Sequence, residues 1–312
     1  MTAIGFVGLG SMGSRIAGRL LEGNTLYGTN RTASRASELT RRGMAWRGTP
    51  REVAEAAAVI FSMVTDDAAL EAITSGPDGI LAGLAPGTIY IDMSTVSPQA
   101  SRELARRVRA LGASMLDAPV SGSVTAAADG TLAIMASGPE DAFRAVEPLL
   151  HRLGRTVTYV GPNGQALLLK LAINISLAMQ MLAFSEGVLL AERGGIDPAL
   201  AAAVMTGSAI GSPMLQARAP LMLDLPEQAW FDVQLMHKDI RLALEAARQL
   251  SVAAPSAAVA DGMLAKAEEL GYARRDIAAF FQVLARMAGA PGATARPARP
   301  GTVTAGTARS TS

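Results

Sequence analysis

Lys170 and Asn174 stand one helical turn apart in GQALLLKLAINISLAMQ, residues 164–180, a stretch that is otherwise mostly apolar. Residues four apart on a helix share one face. An ammonium on such a face has two readings. Its stem can lie along apolar surface while its head reaches water. Alternatively it is desolvated, which pulls its pKa down toward the range useful for proton transfer. In that case the lysine suits hydride transfer to a carbonyl. It would stabilise the charge that develops on oxygen and then protonate it, while Asn174 orients the lysine or the substrate.

A second group with chemistry is Gly8-Leu9-Gly10-Ser11-Met12-Gly13, a G-x-G-x-x-G element between a predicted strand and a predicted helix. Its glycines permit a tight turn, close approach of a pyrophosphate, and close packing of helix on strand. The helix N-terminus adds free amides and the positive end of its dipole. About twenty residues further on, NAD-binding chains of this type carry an acid for the ribose 2′-hydroxyl. Here the segment is Gly28-Thr29-Asn30-Arg31-Thr32, with no acid. Arg31 suits a 2′-phosphate, and Asn30 and Thr32 are suited to donate to it. The cofactor expected is NADP.

A third group is Ser121-Gly122-Ser123, which follows a predicted strand and a proline. That position puts it at the carboxyl edge of the sheet, where open α/β sheets bind ligands. Its amides and two hydroxyls suit a carboxylate; read without that context, it is an ordinary flexible loop.

These groups need elements to position them. Through residue 160, short apolar runs (AIGFVGLG, TLYGTN, AAVIFSMV, GTIYIDMS, SMLDAP) alternate with helical patterns (SMGSRIAGRLLEG, TASRASELTRRG, SPQASRELARRVRALG). That alternation predicts an α/β fold, a Rossmann-type doubly wound, mainly parallel sheet over 1–161. In STVSPQ, Ser97 can cap a helix that begins at Pro98. DGTLAIMASG reads as a further strand, and TVTYVG, 156–161, as the strand that closes the sheet. From 162 to 288 the pattern is all-helical, opening with a long interdomain helix over about 164–193. Residues 289–312 lack periodicity and acidic residues, and are expected to form a disordered tail.

Composition narrows the classes. The 312 residues are 50% apolar with net charge +1, which argues against a nucleic-acid or membrane-surface protein. With no cysteine and two histidines, His151 and His237, thiol chemistry is excluded and a histidine-built metal site is unsupported. The apolar run at 166–184 approaches membrane-spanning length, but Lys170, Asn174, Ser176 and Gln180 interrupt it. The expectation is a cytoplasmic protein without a membrane span. His151 reads as surface and His237 as a helix-side neighbour of the site.

Over residues 3–288 the chain resembles the β-hydroxyacid dehydrogenases, which include 3-hydroxyisobutyrate dehydrogenase and the glyoxylate/succinic semialdehyde reductases. The resemblance rests on GFVGLGSMG (5–13), DMSTVSP (92–98), DAPVSGSVTAAADGTLAIMASG (117–138), GQALLLKLAIN (164–174) and FDVQLMHKDIRLAL (231–244). It implies that Thr95 lies near cofactor and substrate, that Ser121, Gly122 and Ser123 form the substrate loop, and that Lys170 with Asn174 is catalytic. It further implies that Phe231 lies near the site and that Lys238 and Asp239 close over it, Asp239 toward substrate and Lys238 toward cofactor. Val64 and Thr65 are assigned to the cofactor with the glycine loop.

The function expected is reversible NADPH-dependent reduction of small aldehyde or keto acids such as glyoxylate and succinic semialdehyde. The alternatives are 3-hydroxyisobutyrate dehydrogenase, often tuned to NAD, and imine reductases, which share the cofactor loop but usually lack the lysine. A catalytically silent NADP-binding sensor is the non-enzyme alternative. The partners expected are a small carboxylate substrate and further copies of the chain, as a dimer or tetramer.

Overall fold

A computed structural model describes residues 2–289. Of the expected tail, residues 290–312 lie outside the described residues. Strands β1 (Ala3–Val7), β2 (Thr25–Thr29), β3 (Ala45–Trp46), β4 (Val59–Ser62), β5 (Ile89–Asp92) and β6 (Ser114–Asp117) form one sheet. All its pairs are parallel, in the order β3-β2-β1-β4-β5-β6. Strand order reverses between β1 and β4, so a crevice opens at their carboxyl ends, the position at which doubly wound sheets bind dinucleotides.

The period of two along each strand divides the core. Ile4 and Phe6 of β1 and Val59 and Phe61 of β4 face one apolar cluster, while Val7 and Ile60 face another. Helices α1 (Gly13–Leu21), α2 (Ser37–Arg41), α3 (Pro50–Glu55), α4 (Asp67–Thr74), α5 (Ile80–Gly83) and α6 (Pro98–Ala110) cover the two faces. Ser97 caps α6 through the Ala100 amide at 3.0 Å with Pro98 in the first turn, as STVSPQ predicts. TASRASELTRRG is not one helix: a 3-10 turn at Ala33–Ala36 precedes the short α2. There the Ser37 hydroxyl donates to the Ser34 carbonyl at 2.8 Å, competing with regular helical bonding.

The last strands correct the expected topology. β7 (Val120–Ser121), β8 (Leu132–Ala136) and β9 (Gly154–Tyr159) form a separate three-stranded sheet, with α7 (Val124–Asp129) and α8 (Glu140–Leu150) between them. Residues 156–161 therefore do not close the main sheet. The chain leaves β6 through Ala118–Pro119 and folds β7 antiparallel on β8, so β9 finds its partner in β8. One antiparallel bridge, Asp117 with Ser137, ties the small sheet to β6.

Helix α9 (Gln165–Arg193) follows, then α10 (Pro198–Gly207), α11 (Pro213–Leu223), α12 (Val233–Gln249), α13 (Pro255–Glu269) and α14 (Phe280–Met287). Among the described helices α9 alone is long and apolar enough to cross a membrane. Its apolar residues have a packing role, however. Ala178, Met181, Leu182, Phe184 and Val188 are buried in the core of the helical half, and α10 to α14 all pack on α9.

Candidate active site

The glycine loop shows three different reasons for its three glycines. At Gly8, φ is +97° and an added Cβ would lie 2.3 Å from the Met63 carbonyl oxygen. At Gly13 an added Cβ would lie 2.1 Å from the Gly8 carbonyl oxygen, so the start of α1 can pack only without a side chain. At Gly10 nothing lies within 4 Å of the added Cβ. Packing does not explain that glycine, whereas a ligand approaching the backbone does. Helix α1 has no side-chain cap and no acid in its first turn, which leaves its N-terminal amides and dipole for an anion. The residues present fit a dinucleotide pyrophosphate.

At the end of β2 the Asn30 side chain works on the loops themselves. Its Oδ1 accepts from the Leu9 amide at 2.9 Å and its Nδ2 donates to the Thr32 carbonyl at 2.9 Å. Asn30 thus ties the glycine loop to the 30–32 turn. Arg31 and Thr32 are exposed, and Arg31 makes no ion pair among the described residues.

Across the crevice the ends of β4 and β5 share a buried network. Asp92 Oδ1 accepts from the Ser62 hydroxyl at 2.6 Å and from the Ser94 hydroxyl at 2.7 Å. Ser94 Oγ accepts in turn from the Val64 amide at 2.9 Å, and Ser62 meets the Tyr90 hydroxyl at 2.7 Å. Burial, helped by the nearby Asp117 charge, raises the Asp92 pKa to about 6 against the pull of the serine hydrogen bonds. Sequence reading missed this acid, although IYID and SMLD both end an apolar strand in aspartate, an unusual place for a carboxylate.

On the helical side Lys170 Nζ donates to Asn174 Oδ1 at 3.0 Å, and Asn174 Nδ2 donates to Asp239 Oδ2 at 2.6 Å. Asp239 Oδ1 pairs with Lys238 Nζ at 2.7 Å, and Lys238 also donates to the Thr95 carbonyl. One continuous chain of polar contacts therefore joins α9, α12 and the loop after β5. Asn174 and Asp239 are buried, whereas Lys170 and Lys238 are partly exposed. Desolvation lowers the Lys170 pKa; Asp239 opposes the shift, and the Lys238 and Arg218 charges add to it. Burial likewise raises the Asp239 carboxyl, against Lys238, Lys170 and Asn174.

Buried carboxylates also hold the frame of this cluster. Asp117 accepts from the Ser101 and Ser137 hydroxyls and from the Gly164 amide, and Ser137 Oγ accepts from the Ala166 amide at 3.1 Å. The first turn of α9 is thereby fastened to β6 and β8. Asp276 accepts from Arg218 at 2.6 Å and from the Trp230 and Phe231 amides at 2.9 and 3.0 Å. That fixes Phe231, which is half-buried against the helical core. Neither aspartate was singled out from sequence, because their partners come from distant segments.

The structure thus brings Lys170, Asn174, Asp239, Lys238 and Thr95 together, and gathers Gly8, Leu9, Gly10, Asn30, Thr32 and Val64 into the linked crevice loops. Ser11, Met12 and Gly13 open α1, and Thr65 is exposed beside Val64. Ser121, Gly122 and Ser123 lie at the β7–α7 junction, where Ser123 caps α7 through the Ala126 amide at 3.1 Å. Among the described residues no hydrogen bond joins that loop to the Lys170 cluster. His151 is exposed, and His237 is buried between Asp261 at 3.1 Å and Glu268 at 3.0 Å.

Residues 3–161 match the family model for the NAD binding domain of 6-phosphogluconate dehydrogenase, and residues 164–284 that for the NAD-binding domain of NADP-dependent 3-hydroxyisobutyrate dehydrogenase. The chain belongs to the β-hydroxyacid dehydrogenase family. It is therefore an oxidoreductase built for a nicotinamide dinucleotide. This dehydrogenase is 34% identical over 285 residues to 2-hydroxy-3-oxopropionate reductase of Escherichia coli, covering 91% of this chain and 98% of that one. It is 32% identical over 283 residues to the chloroplastic glyoxylate/succinic semialdehyde reductase 2 of Arabidopsis thaliana, covering 90% of this chain and 79% of that one. The solved 3-hydroxyisobutyrate dehydrogenase of Salmonella typhimurium superposes with a TM-score of 0.83 at 29% identity, covering 91% of this chain and all of that one.

Proposed function

We propose that this dehydrogenase reduces small carboxylic acids bearing an aldehyde or ketone, with NADPH, and runs reversibly as a hydroxyacid dehydrogenase. Glyoxylate and succinic semialdehyde are the first substrates to test. The observation that carries the reading is the Lys170–Asn174–Asp239–Lys238–Thr95 chain, which holds an ammonium of lowered pKa between the helical half and the carboxyl edge of the sheet.

Bound NADPH would supply the hydride to the carbonyl carbon; every other task falls to the chain. Lys170 Nζ has three protons, and Asn174 engages one of them. A second faces the carbonyl oxygen, steadies the charge that develops there, and is transferred to it as the C–O double bond becomes a hydroxyl. In the oxidative direction a neutral Lys170 takes that proton back. Asp239, buried and occupied by Asn174 and Lys238, acts through these residues as a positioning group. Ser121, Gly122 and Ser123 supply amides and hydroxyls for the substrate carboxylate, and Phe231 walls the pocket. Arg31 and Thr32 bind the 2′-phosphate, with Asn30 shaping their turn.

Arg31 in place of an acid favours NADPH over NADH and so disfavours an NAD-tuned 3-hydroxyisobutyrate dehydrogenase. Retention of Lys170 and its partners disfavours both an imine reductase and a silent sensor. An NADPH-oxidation screen over glyoxylate, succinic semialdehyde, methylmalonate semialdehyde and tartronate semialdehyde tests the reading. Turnover on none of them, or turnover that survives Lys170→Met, would overturn it. Leu190, Leu200 and Val204 are exposed along α9 and α10, and we assign them to contacts between copies in a cytoplasmic homo-oligomer. A sedimentation mass of one chain would refute that assignment.

A further inference from the structure

Ser62, Asp92 and Asp117 lie in one row across the carboxyl ends of β4, β5 and β6, as successive register partners. Two buried carboxylates therefore sit side by side, and each holds a different part of the site. Asp117 serves the start of α9. Asp92 serves the loops after β4 and β5, which carry Val64 and Thr95. The groups that face Asp92 are the Ser62 and Ser94 hydroxyls, the Tyr90 phenol behind Ser62, and Asp117 on the next strand. Among the described residues no cation offsets it, so an ionised carboxylate at this position costs stability.

What the carboxylate contributes is direction. An ionised Asp92 only accepts, so Ser62 and Ser94 must both donate to it. The lone pairs of Ser94 Oγ then point at the Val64 amide, and those of Ser62 at the Tyr90 hydroxyl. The polarity of three hydroxyl hydrogen bonds follows from one charge, and the Val64 amide, which can only donate, finds its acceptor oriented. The loops so fixed line the crevice opposite the glycine loop, and the Thr95 carbonyl is also the tether of Lys238. We propose that Asp92 is a positioning residue for the nicotinamide end of the cofactor, setting through Ser94 the loops that carry Val64 and Thr95. This rests on the dinucleotide reading of the crevice and not on the choice between NADP and NAD.

ADP-ribose differs from NADH by lacking the nicotinamide, so the ratio of their affinities isolates that end. Calorimetric titration of both ligands, and of the 2′-phosphorylated pair, into the wild-type protein, Asp92→Asn and Ser94→Ala supplies the ratio without any turnover. In both variants the preference for the nicotinamide-bearing ligand falls roughly tenfold, the size of one charge-assisted hydrogen bond, while ADP-ribose binds as before. In the wild-type protein the same ratio falls as pH drops through about 6, where Asp92 takes up a proton, and Asp92→Asn shows no such step. Thermal unfolding checks that the variants fold; should Asp92→Asn fail, Ser94→Ala keeps the carboxylate and carries the test. An unchanged ratio, or an equal loss for NADH and ADP-ribose, overturns the proposal. Equal binding of the two members with and without the 2′-phosphate would overturn the NADP reading alone and leave the ratio to decide on Asp92.

Discussion

Around Gly8–Gly13 the chain leaves things out: no side chain at Gly10, no cap on α1, no partner for Arg31 among the described residues. Around Lys170 the arrangement is the opposite. Asn174, Asp239, Lys238 and the Thr95 carbonyl answer one another across three segments. An anion-binding loop works by keeping backbone amides and open space available, because the ligand brings the charge. A proton donor must instead have its charge state and direction fixed before the substrate arrives. One half of the site tolerates exposure, and the other depends on burial.

The sharpest break of this contrast is Lys170→Met. It should lower kcat for reduction by about a thousandfold, within the usual range for a general acid, while the calorimetric Kd for NADPH stays unchanged. A parallel loss in cofactor binding would mean that the two halves are not separable. Asp239→Ala comes next, with kcat reduced on the order of a hundredfold, the low end of that range. Asp239 opposes the desolvation that lowers the Lys170 pKa, so its loss lowers that pKa further. Because reduction needs the ammonium form, the alkaline fall of the rate profile should move to still lower pH.

On the open half, Arg31→Ala should raise KM for NADPH by roughly tenfold to a hundredfold, the worth of a charge-assisted contact, and leave KM for NADH alone. The smallest effect concerns stability. Asp92 has a folded pKa raised from 3.8 to about 6, so the folded state holds its proton more tightly than the unfolded chain. Its contribution therefore declines as pH rises through that window and stays low above it. Asp92→Asn should remove this slope, read as the difference between the Tm–pH curves of variant and wild-type protein from about pH 4 to about pH 8.

The same contrast decides what was legible in the sequence. The glycine spacing, the missing acid near Arg31 and the period of two in the strands are local features; the predicted strands through β6 form the parallel sheet expected, whereas β8 and β9 do not join it. The Lys170–Asn174 pair was visible because it is one turn of one helix. Its continuation through Asp239 to Lys238 and Thr95 depends on α12 meeting α9, which no spacing within either segment specifies. Asp92 and Asp117 escaped for a related reason: their importance lies in strand register, and pairing is a long-range property. β9 misled because a strand's own residues do not reveal which neighbour it joins.

Helix α9 joins the two halves, yet its first turns belong to the nucleotide side. Gly164 and Ala166 hang from Asp117 and Ser137, and Leu167 is buried with Val96 and Met115 beneath the sheet. Lys170 sits three residues past that anchor, so its placement relative to the sheet is set there, whatever the rest of the helix packs against. A hybrid of two relatives that exchanges helical halves should therefore keep working when spliced beyond Asn174 with a matched α12, and fail when spliced at residue 162, where the lysine would arrive on another protein's footing.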